Sequence, residues 1–460
     1  MTSFNPFSIA FDALRVTRGN PEMLVCRQKK RLSELVTFAR KHSPFYAKKY
    51  RHLPENITDV QQLPPLTKTE LMEHFDDVVT DTEVKRRDVE IFLVDKNSIG
   101  TLFKNRYMVW TTSGTTGTPG IFLEDHNWDA VLSAVNLTRI GLEWYTPEVI
   151  RGMLQRHGQT VAVFAGNGHF LGISMIERQR RKRASRARSM HLIPVTLPLA
   201  DIVQRLNDLQ PAMFSGYASA LMLLAQEQLA GRLHIQPSIV VSSAEPLSSE
   251  TRAIIHQAFG VPSRNNYSCS EGGVMGYECR QGKMHLNTDW VLYEPVDENF
   301  NPVVPGHFSN RVLITNLANR VMPIIRNELG DRACLDPDPC NCGITLPVVC
   351  IEGRTDDLLQ FETVEGQKIS VLPLALWAVI KETPGVLRFQ AIQTGPKALK
   401  IRLESKPTED KSFIWKKIES RVRDYLDQQG LAQVAISLSS EPPLRDTKSG
   451  KFRNTFVEME

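Results

Sequence analysis

Residues 111–120 are the part of the sequence whose side chains point most directly to chemistry. They read Thr-Thr-Ser-Gly-Thr-Thr-Gly-Thr-Pro-Gly, so that hydroxyl groups are interspersed with glycines. Glycines allow tight turns that present backbone N–H groups, and such a loop can wrap a polyphosphate with neutral donors. A Walker loop is excluded because the lysine that this motif requires is absent. The alternative is a polar surface turn. We predict a phosphate-binding loop whose contacts are Ser113, Gly114, Thr115, Thr116 and Gly117.

Five further segments with charged or aromatic residues follow in order along the chain. They are Ser243-Ala244-Glu245-Pro246, Asn266-Tyr267-Ser268-Cys269-Ser270-Glu271-Gly272, Leu329-Gly330-Asp331, Gly353-Arg354-Thr355-Asp356-Asp357 and Thr447-Lys448-Ser449-Gly450-Lys451. Singly, each has an ordinary structural explanation, such as a strand–helix turn for the first and a solvated lysine for the last. In order behind the phosphate loop, they resemble the signatures of the adenylate-forming superfamily, which contains acyl-CoA synthetases, luciferases and the adenylation domains of peptide synthetases.

Within that superfamily the chain looks most like the phenylacetate–CoA ligase branch. Many members carry a lysine after the proline of the phosphate loop, whereas Gly120 stands there in this sequence. Other segments that resemble the branch are Ser43-Pro44-Phe45-Tyr46, Leu63-Pro64-Pro65-Leu66-Thr67-Lys68 and Gly168-His169-Phe170. The resemblance covers nearly the full chain.

The resemblance implies which residues contact the nucleotide. Tyr267 would stack on adenine, Asp331 would accept hydrogen bonds from both ribose hydroxyls, and Arg354 would approach the ribose. An ionised carboxylate can accept from two hydroxyls at once. Ser268 departs from the usual glycine of its motif, which puts the backbone shape there in doubt. The full set of expected contacts outside the phosphate loop is Ser243, Ala244, Glu245, Pro246, Asn266, Tyr267, Ser270, Asp331, Arg354 and Lys451.

The resemblance also implies the catalytic residues Lys451, Glu271 and Thr116. Glu271 would hold Mg²⁺, a hard cation that takes carboxylate oxygens and bridges phosphates. Lys451 would place its ammonium between the acid's carboxylate and the α-phosphate, offsetting negative charge as the new bond forms. Asp356 would be the hinge about which a small domain rotates, because a loop residue there absorbs the change in backbone angles.

The implied reaction has two steps and uses ATP, Mg²⁺ and coenzyme A. A small carboxylic acid, aryl or arylacetic in this branch, becomes acyl-AMP with release of pyrophosphate, and the thiol of coenzyme A then takes the acyl group. We expect residues 166–172 and 215–218 to line the acid pocket. One alternative is an adenylating ligase that delivers the acyl group to a carrier protein or an amine. Another is a degenerate member that only binds nucleotide, against which Lys451, Glu271 and Asp331 argue.

A second metal site is suggested by the sequence Cys340-Asn341-Cys342-Gly343. A Cys-x-Cys-Gly knuckle can give two thiolates to one structural Zn²⁺, which needs four ligands. Cys279 and His285 are the candidates for the other two ligands, with Cys334 in reserve, and some members of the branch carry a similar set. Free cytosolic thiols are the alternative.

Composition bounds the class of protein. The chain has 460 residues, 42% of them hydrophobic, seven cysteines and a formal net charge of +4. The charge is too small to indicate nucleic acid, and the cysteine usage favours a reducing cytoplasm. We expect neither a signal peptide nor a membrane span. A homodimer is one option for assembly.

Residues 178–188 form a basic run of six arginines and one lysine. This run is either a solvated helix face or a patch for anionic lipid, RNA or an acidic carrier protein.

The elements that position these residues follow from periodicity. Apolar spacing predicts helices over residues 22–42, 202–209, 249–259, 372–381 and 411–426, and Thr67 as a helix N-cap. Apolar runs predict strands over 107–110, 160–165, 212–215, 238–242, 399–403 and 434–438. Alternating strands and helices favour parallel α/β layers, and residues 290–325 favour an antiparallel or barrel-like part. We predict a large N-terminal domain, 1–355, of β-sheets flanked by helices, and a small mobile C-terminal α+β domain, 356–460.

Overall fold

The computed structural model describes residues 5–112, 120–164, 168–352, 359–406, 409–444 and 453–458. Its α-helices are α1 Pro6–Thr17, α2 Pro21–His42, α3 Pro44–Lys49, α4 Lys68–Glu73, α5 Phe75–Val78, α6 Arg86–Val94, α7 His126–Val135, α8 Gly141–Trp144, α9 Pro147–Gln155, α10 Leu171–Lys182, α11 Ala184–Ser189, α12 Leu199–Leu209, α13 Ala218–Leu229, α14 Ser249–Phe259, α15 Pro373–Lys381 and α16 Lys411–Gln428. A π-helical turn, Asn136–Ile140, joins α7 to α8, and 3₁₀ turns lie at Val60–Gln62 and Lys96–Ser98.

The strands are β1 Met108–Thr111, β2 Ile121–Glu124, β3 Thr160–Phe164, β4 Met190–Pro194, β5 Met213–Gly216, β6 Ile239–Ser243, β7 Ser263–Cys269, β8 Gly273–Glu278, β9 Met284–Leu286, β10 Val291–Val296, β11 Arg311–Asn316, β12 Asn327–Leu329, β13 Arg332–Leu335, β14 Val348–Glu352, β15 Leu359–Glu362, β16 Lys368–Val371, β17 Val386–Gly395, β18 Ala398–Ser405, β19 Ala435–Leu438 and β20 Thr455–Val457.

The central sheet has nine strands in the order β13-β14-β9-β8-β7-β6-β5-β3-β4. The strands from β4 to β7 pair in parallel, and those from β7 to β13 pair antiparallel. On one face, apolar residues of β3, β5 and β6 pack against α12, α13 and α14. On the other face, β6 packs against α8 and α9. Helices on both faces are what parallel strands require, since both faces must be buried. The predicted α/β layering is confirmed.

Most predicted elements lie within a few residues of the observed ones. The helix α2 begins at Pro21 behind the N-cap Asn20 and ends before Ser43-Pro44, where proline cannot continue a helix. Thr67 caps α4, as predicted, by accepting from the Glu70 N–H. The region 290–325 is antiparallel, as predicted: β10, β11 and β12 form a three-stranded sheet.

The last hundred residues form their own sheets. β15 and β16 make a hairpin, and β19-β18-β17-β20 make a four-stranded sheet beside α15 and α16. The predicted domain boundary at 355/356 lies outside the described residues, so the two-domain division and the mobility stay predictions. Among the residues that the structure describes, no helix is both long and apolar enough to cross a membrane.

Candidate active site

A cleft of about 3400 Å³ contains the predicted segments that the structure describes. It opens at the carboxyl ends of the parallel strands, where ligands bind in open α/β sheets. The turn after β6 (Ser243, Ala244, Glu245, Pro246), the end of β7 with its turn (Asn266, Tyr267, Ser270, Glu271) and Asp331 all line it. The parallel pairing of β6 with β7 brings their ends together, and the turn between the antiparallel-paired strands β12 and β13 adds Asp331.

The phosphate loop itself, with Ser113, Gly114, Thr115, Thr116 and Gly117, lies outside the described residues, but its base does not. β1 and β2 pair antiparallel, and Gly120 donates to the Thr112 Oγ1 at 2.9 Å while Thr112 donates back to the Gly120 carbonyl at 3.0 Å. A Cβ at position 120 would lie 2.4 Å from the Phe122 ring. A side chain at position 120 would therefore have to displace the Phe122 ring, and Thr111 and Thr112, at the base of the predicted loop, line the cleft.

Glu245 has a structural partner within the cleft. Its carboxylate accepts from the Ser219 N–H at 2.7 Å and from the Ser219 hydroxyl at 3.0 Å. Ser219 lies in the first turn of α13, whose free N–H groups and dipole favour a carboxylate. The structure thus gives Glu245 the task of fixing the β6 turn to α13, which shapes the wall where Ser243, Ala244 and Pro246 are exposed to a ligand.

Tyr267 and Asp331 meet through a hydrogen bond. The Tyr267 hydroxyl donates to the Asp331 Oδ2 at 2.6 Å, and Tyr293 lies 3.4 Å away, oxygen to oxygen. Burial, with the Asp331 carboxylate beside it, raises the pKa of Tyr267 well above its usual range, so the phenol remains a donor. The pairing of β7 with β8 shifts register between Tyr267 and Ser268. Ser268 has no left-handed backbone conformation, so glycine is not required at this departure from the motif.

Glu271 is buried, and its partner was missed by sequence reasoning. The Lys68 Nζ lies 2.7 Å from the Glu271 Oε1, with the lysine side chain 18% exposed and the glutamate side chain 3% exposed. The turn of Glu271 is held by Asn316, which donates to the Glu271 carbonyl, and by Trp110, which donates to the Ser270 carbonyl. The sequence did contain a signal for Lys68. The helix dipole disfavours a positive charge in the first turn of α4, so a lysine at this position indicates a partner outside the helix.

The position of Lys68 is fixed by contacts made far away in sequence. Leu66 and Asn327 form a parallel β-bridge. The Leu66 N–H donates to the Arg326 carbonyl, and the Glu328 N–H donates to the Leu66 carbonyl, both at 2.9 Å. Arg326 is buried against Glu294 at 2.9 Å and does not line the cleft, so it has a structural ion-pair role. The segment before α4 is thereby tied to the three-stranded sheet.

The predicted hinge and catalytic lysine, Arg354, Asp356 and Lys451, lie outside the described residues. The flanks of the lysine segment are described: buried Gln390 on β17 accepts from the Leu444 N–H at 2.9 Å and donates to the Leu444 carbonyl at 2.8 Å and the Arg453 carbonyl at 3.0 Å. One carboxamide therefore anchors both ends of the segment that carries the predicted catalytic lysine.

The four predicted zinc ligands, Cys279, His285, Cys340 and Cys342, converge. Their ligand atoms all lie within 4.8 Å of one another, with 3.9 Å between the Cys279 and Cys340 sulfurs and 3.3 Å between the Cys342 Sγ and the His285 Nε2. The His285 Nδ1 lies 2.9 Å from the Leu346 carbonyl, so it carries the proton and leaves the Nε2 lone pair facing the sulfurs. Burial raises the pKa of Cys342 to about 12 in the absence of a cation. This donor set fits a tetrahedral Cys₃His site.

The segments expected to line the acid pocket and the basic run, residues 178–188, lie in different parts of the structure. From the expected acid-pocket segments, Phe170, Leu171, Gly172, Ser215, Tyr217 and Ala218 line the cleft, whereas residues 166 and 167 are outside the described ranges. The basic run forms the end of α10 and most of α11. Arg178 and Lys182 share Asp129, Arg180 pairs with Glu177, and Arg183 and Arg188 are exposed. The first turns of α10 line the cleft, as does Arg186 on α11, whereas Arg183 and Arg188 face solvent.

Comparison with known proteins agrees with this geometry. No family model matches the chain. Protein CapK of Staphylococcus aureus is 23% identical over 353 residues, which are 72% of this chain and 68% of that protein. The structure of 2-hydroxyisobutyryl-CoA ligase with 2-HIB-AMP and CoA, in the thioesterification state, superposes with a TM-score of 0.59 at 21% identity, over 97% of this chain and 92% of that one. Its open conformation gives 0.53 at 21% identity, over 95% and 91%. The chain therefore has the fold of the adenylate-forming enzymes, as its ordered motifs predict.

Proposed function

We propose that this protein activates a carboxylic acid with ATP, forming acyl-AMP and pyrophosphate, and then transfers the acyl group to the thiol of coenzyme A. The observation that carries the proposal is the convergence of Tyr267, Asp331 and Glu271 in one cleft beside the base of the hydroxyl-rich loop. The likeness to a ligase solved with an acyl-AMP and CoA supports the same reaction.

The nucleotide would lie across the ends of β6 and β7. Adenine would contact the turn from Ser243 to Pro246 and the Tyr267 ring. The Asp331 carboxylate would accept hydrogen bonds from the ribose hydroxyls, and these would partly replace the hydrogen bond that it now accepts from Tyr267. The β- and γ-phosphates would reach residues 113–117, and Arg354 would approach the ribose. Asn266 and Ser270 would complete the floor of the nucleotide site.

Groups from four segments would offset the negative charge of the phosphates. Lys68, now 2.7 Å from Glu271, is positioned to approach the phosphates when Glu271 turns toward the cation that accompanies ATP. Mg²⁺, held by Glu271, would neutralise phosphate oxygens as it does at other ATP sites. The Thr116 hydroxyl would donate to the β- and γ-phosphates, which leave as pyrophosphate, and Lys451 would offset charge where the carboxylate meets the α-phosphorus. We further propose an aryl or arylacetic acid, as in the phenylacetate–CoA ligase branch.

Acid-dependent exchange of labelled pyrophosphate into ATP tests the adenylation step. We expect exchange with one class among aryl, arylacetic, fatty and amino acids, without coenzyme A, and thioester only when coenzyme A is added. Lys451→Ala should abolish exchange yet still transfer the acyl group from supplied acyl-AMP, because the lysine acts only in the first step. Folded protein that binds ATP and shows no exchange with any acid would contradict the proposal.

A second candidate is delivery of the acyl group to an acidic carrier protein or an amine. It is favoured by α10, whose Leu171 and Gly172 line the cleft while Arg183 and Arg188, just beyond its end, are exposed. Acylation of a purified carrier without free coenzyme A would support it. Charge reversal of Arg183 and Arg188 should then slow carrier acylation but leave pyrophosphate exchange unchanged.

We also propose that Cys279, His285, Cys340 and Cys342 hold one structural Zn²⁺, which would pin the loop before β14 to β8 and β9. Metal analysis of purified protein should give one zinc per chain, and Cys342→Ser should lose it and unfold at lower temperature. Full occupancy in that variant would exclude this ligand set. A cytoplasmic location is proposed with it, because all seven cysteines are free of disulfides. A homodimer stays a proposal as well.

A further inference from the structure

One face of α10 lines the cleft over the first two-thirds of the helix. Gly172, Ile176 and Gln179 all line the cleft, and residues three or four positions apart share one face of a helix. From Gly172 to Gln179 the helix rises by about 10 Å. A Cβ at Gly172 would meet no atom within 4 Å, so the space in front of the first turn is open. The cleft therefore has an arm that runs along α10.

Arg186 stands at the far end of this arm. Its Nη1 donates to the Gln179 Oε1, so the guanidinium lies against the side chain that ends the α10 face. Arg186 itself lines the cleft and is half-buried, whereas Arg183 and Arg188 of the same basic run are exposed. The arm thus leads from the first turns of α10 to a half-buried cation, with further arginines in solvent close to it in the chain.

Arg186 differs from the other cations of the cleft because it has no acidic partner among the described residues. Burial lowers the pKa of Arg264, and the nearby Glu278 and Glu143 carboxylates oppose that shift. An arginine without a carboxylate is suited to bind an anionic ligand, because its planar guanidinium matches phosphate and carboxylate oxygens. The remaining lysines and arginines that line the cleft all form ion pairs with carboxylates: Lys68, Arg252, Arg280, Lys283, Arg311 and Arg332.

The position of Arg186 favours a phosphate on the thiol over a second acidic group on the acid. The thiol must place its sulfur deep in the cleft, where the acyl group is joined to the α-phosphate. Coenzyme A carries its phosphates at the other end of a long uncharged pantetheine arm. The α10 face presents the uncharged residues Gly172, Met175 and Ile176 before it reaches Gln179 and Arg186. An uncharged arm fits this lining, and the phosphates behind it would reach the arginine.

We infer that Arg186 binds a phosphate group of coenzyme A and thereby selects a phosphorylated thiol as the acyl acceptor. This inference rests on the proposed two-step reaction and deepens its second step. Removal of the guanidinium should weaken the binding of coenzyme A and spare the formation of acyl-AMP. The phosphopantetheine of a carrier protein has the same phosphate chemistry, and the experiment separates the two sources.

The test measures thiolation of supplied acyl-AMP, made from an acid that supports pyrophosphate exchange, with coenzyme A, dephospho-coenzyme A or pantetheine as acceptor. Arg186→Gln should raise KM for coenzyme A about 10-fold or more and leave kcat unchanged, because a charge-assisted hydrogen bond is lost. KM for pantetheine, which has no phosphate, and the rate of pyrophosphate exchange should not change. Arg181→Gln is the matched control, since Arg181 is exposed on α10 and donates to the Asn97 carbonyl, away from the residues that line the cleft.

The acceptors also identify the phosphate that is bound. If Arg186→Gln leaves KM for dephospho-coenzyme A unchanged, the 3′-phosphate is the partner, and an equal rise for both nucleotides assigns the diphosphate. An unchanged KM for coenzyme A, or an equal rise for pantetheine, would overturn the inference. Acylation of a purified phosphopantetheinyl carrier, without reaction of free coenzyme A, would exclude coenzyme A as the ligand. Absence of pyrophosphate exchange with any acid in the unmodified protein would instead refute the proposed function.

Discussion

The pair formed by Lys68 and Glu271 gives a prediction whose size follows from the geometry. At 2.7 Å, with an effective dielectric constant of about 20, two unit charges attract by about 6 kcal/mol. Most of that is offset by taking the glutamate, only 3% exposed, out of water. We therefore expect a net coupling of about 1–3 kcal/mol between the two side chains. An exposed pair should give much less, because water screens it.

A double-mutant cycle measures this coupling. The free energies of unfolding of Lys68→Met, Glu271→Gln and the double variant are obtained by denaturant titration, each without nucleotide. Lys30 and Glu34 serve as the control pair: they lie 3.9 Å apart with side chains 68% and 53% exposed, and their cycle should give at most about 0.5 kcal/mol. Additive effects of the Lys68 and Glu271 substitutions, within about 0.3 kcal/mol, would refute the reasoning that the buried pair orders this part of the cleft.

Two further predictions concern buried side chains. Gln390→Leu should lower the free energy of unfolding by about 1–3 kcal/mol, because it leaves backbone N–H and C=O groups without a hydrogen-bond partner. The same variant should slow pyrophosphate exchange more than thiolation of supplied acyl-AMP, because it releases both ends of the segment that carries Lys451. Equal slowing of both steps would contradict this. Burial raises the pKa of Glu124 well above its usual range, with Asp125 adding to the effect. A raised pKa contributes stability at low pH that is lost as pH rises, so the stability of Glu124→Gln relative to the parent should increase as the pH rises above 4.5, the ordinary pKa of a glutamate. Parallel pH profiles from denaturant titration would argue against it.

Local patterns were sufficient to predict most of the fold. The helix from Ser249 to Phe259 was predicted with its observed ends because a capping serine, an apolar period and a terminal glycine agree there. The strands β3, β5 and β6 were found because short apolar runs between helical patterns are typical of parallel strands. The four candidate zinc ligands were also predicted from the sequence, since a Cys-x-Cys knuckle needs further ligands and few cysteines or histidines are available, and the structure brings these four together.

What the sequence did not reveal depends on contacts between distant segments. Lys68 gains its place from the pairing of Leu66 with Asn327, which no local pattern predicts. Glu245 was expected in the adenine pocket, and only the packing of α13 shows that its carboxylate is bound to Ser219.

Gly120 and Lys68 are best understood together. The Phe122 ring occupies the space that a side chain at position 120 would need, so the end of the predicted phosphate loop has no lysine of the kind that the adenylate-forming signature often carries there. The helix α4, which begins with Lys68, lies against the same hairpin, since the Ile121 N–H donates to the Met72 sulfur at 3.2 Å. We therefore expect Lys68, on this neighbouring helix, to provide the positive charge that Gly120 cannot. Lys68→Met should accordingly weaken ATP binding in an equilibrium titration, whereas Lys49→Met, which breaks the Lys49–Glu70 pair beside the same helix, should not.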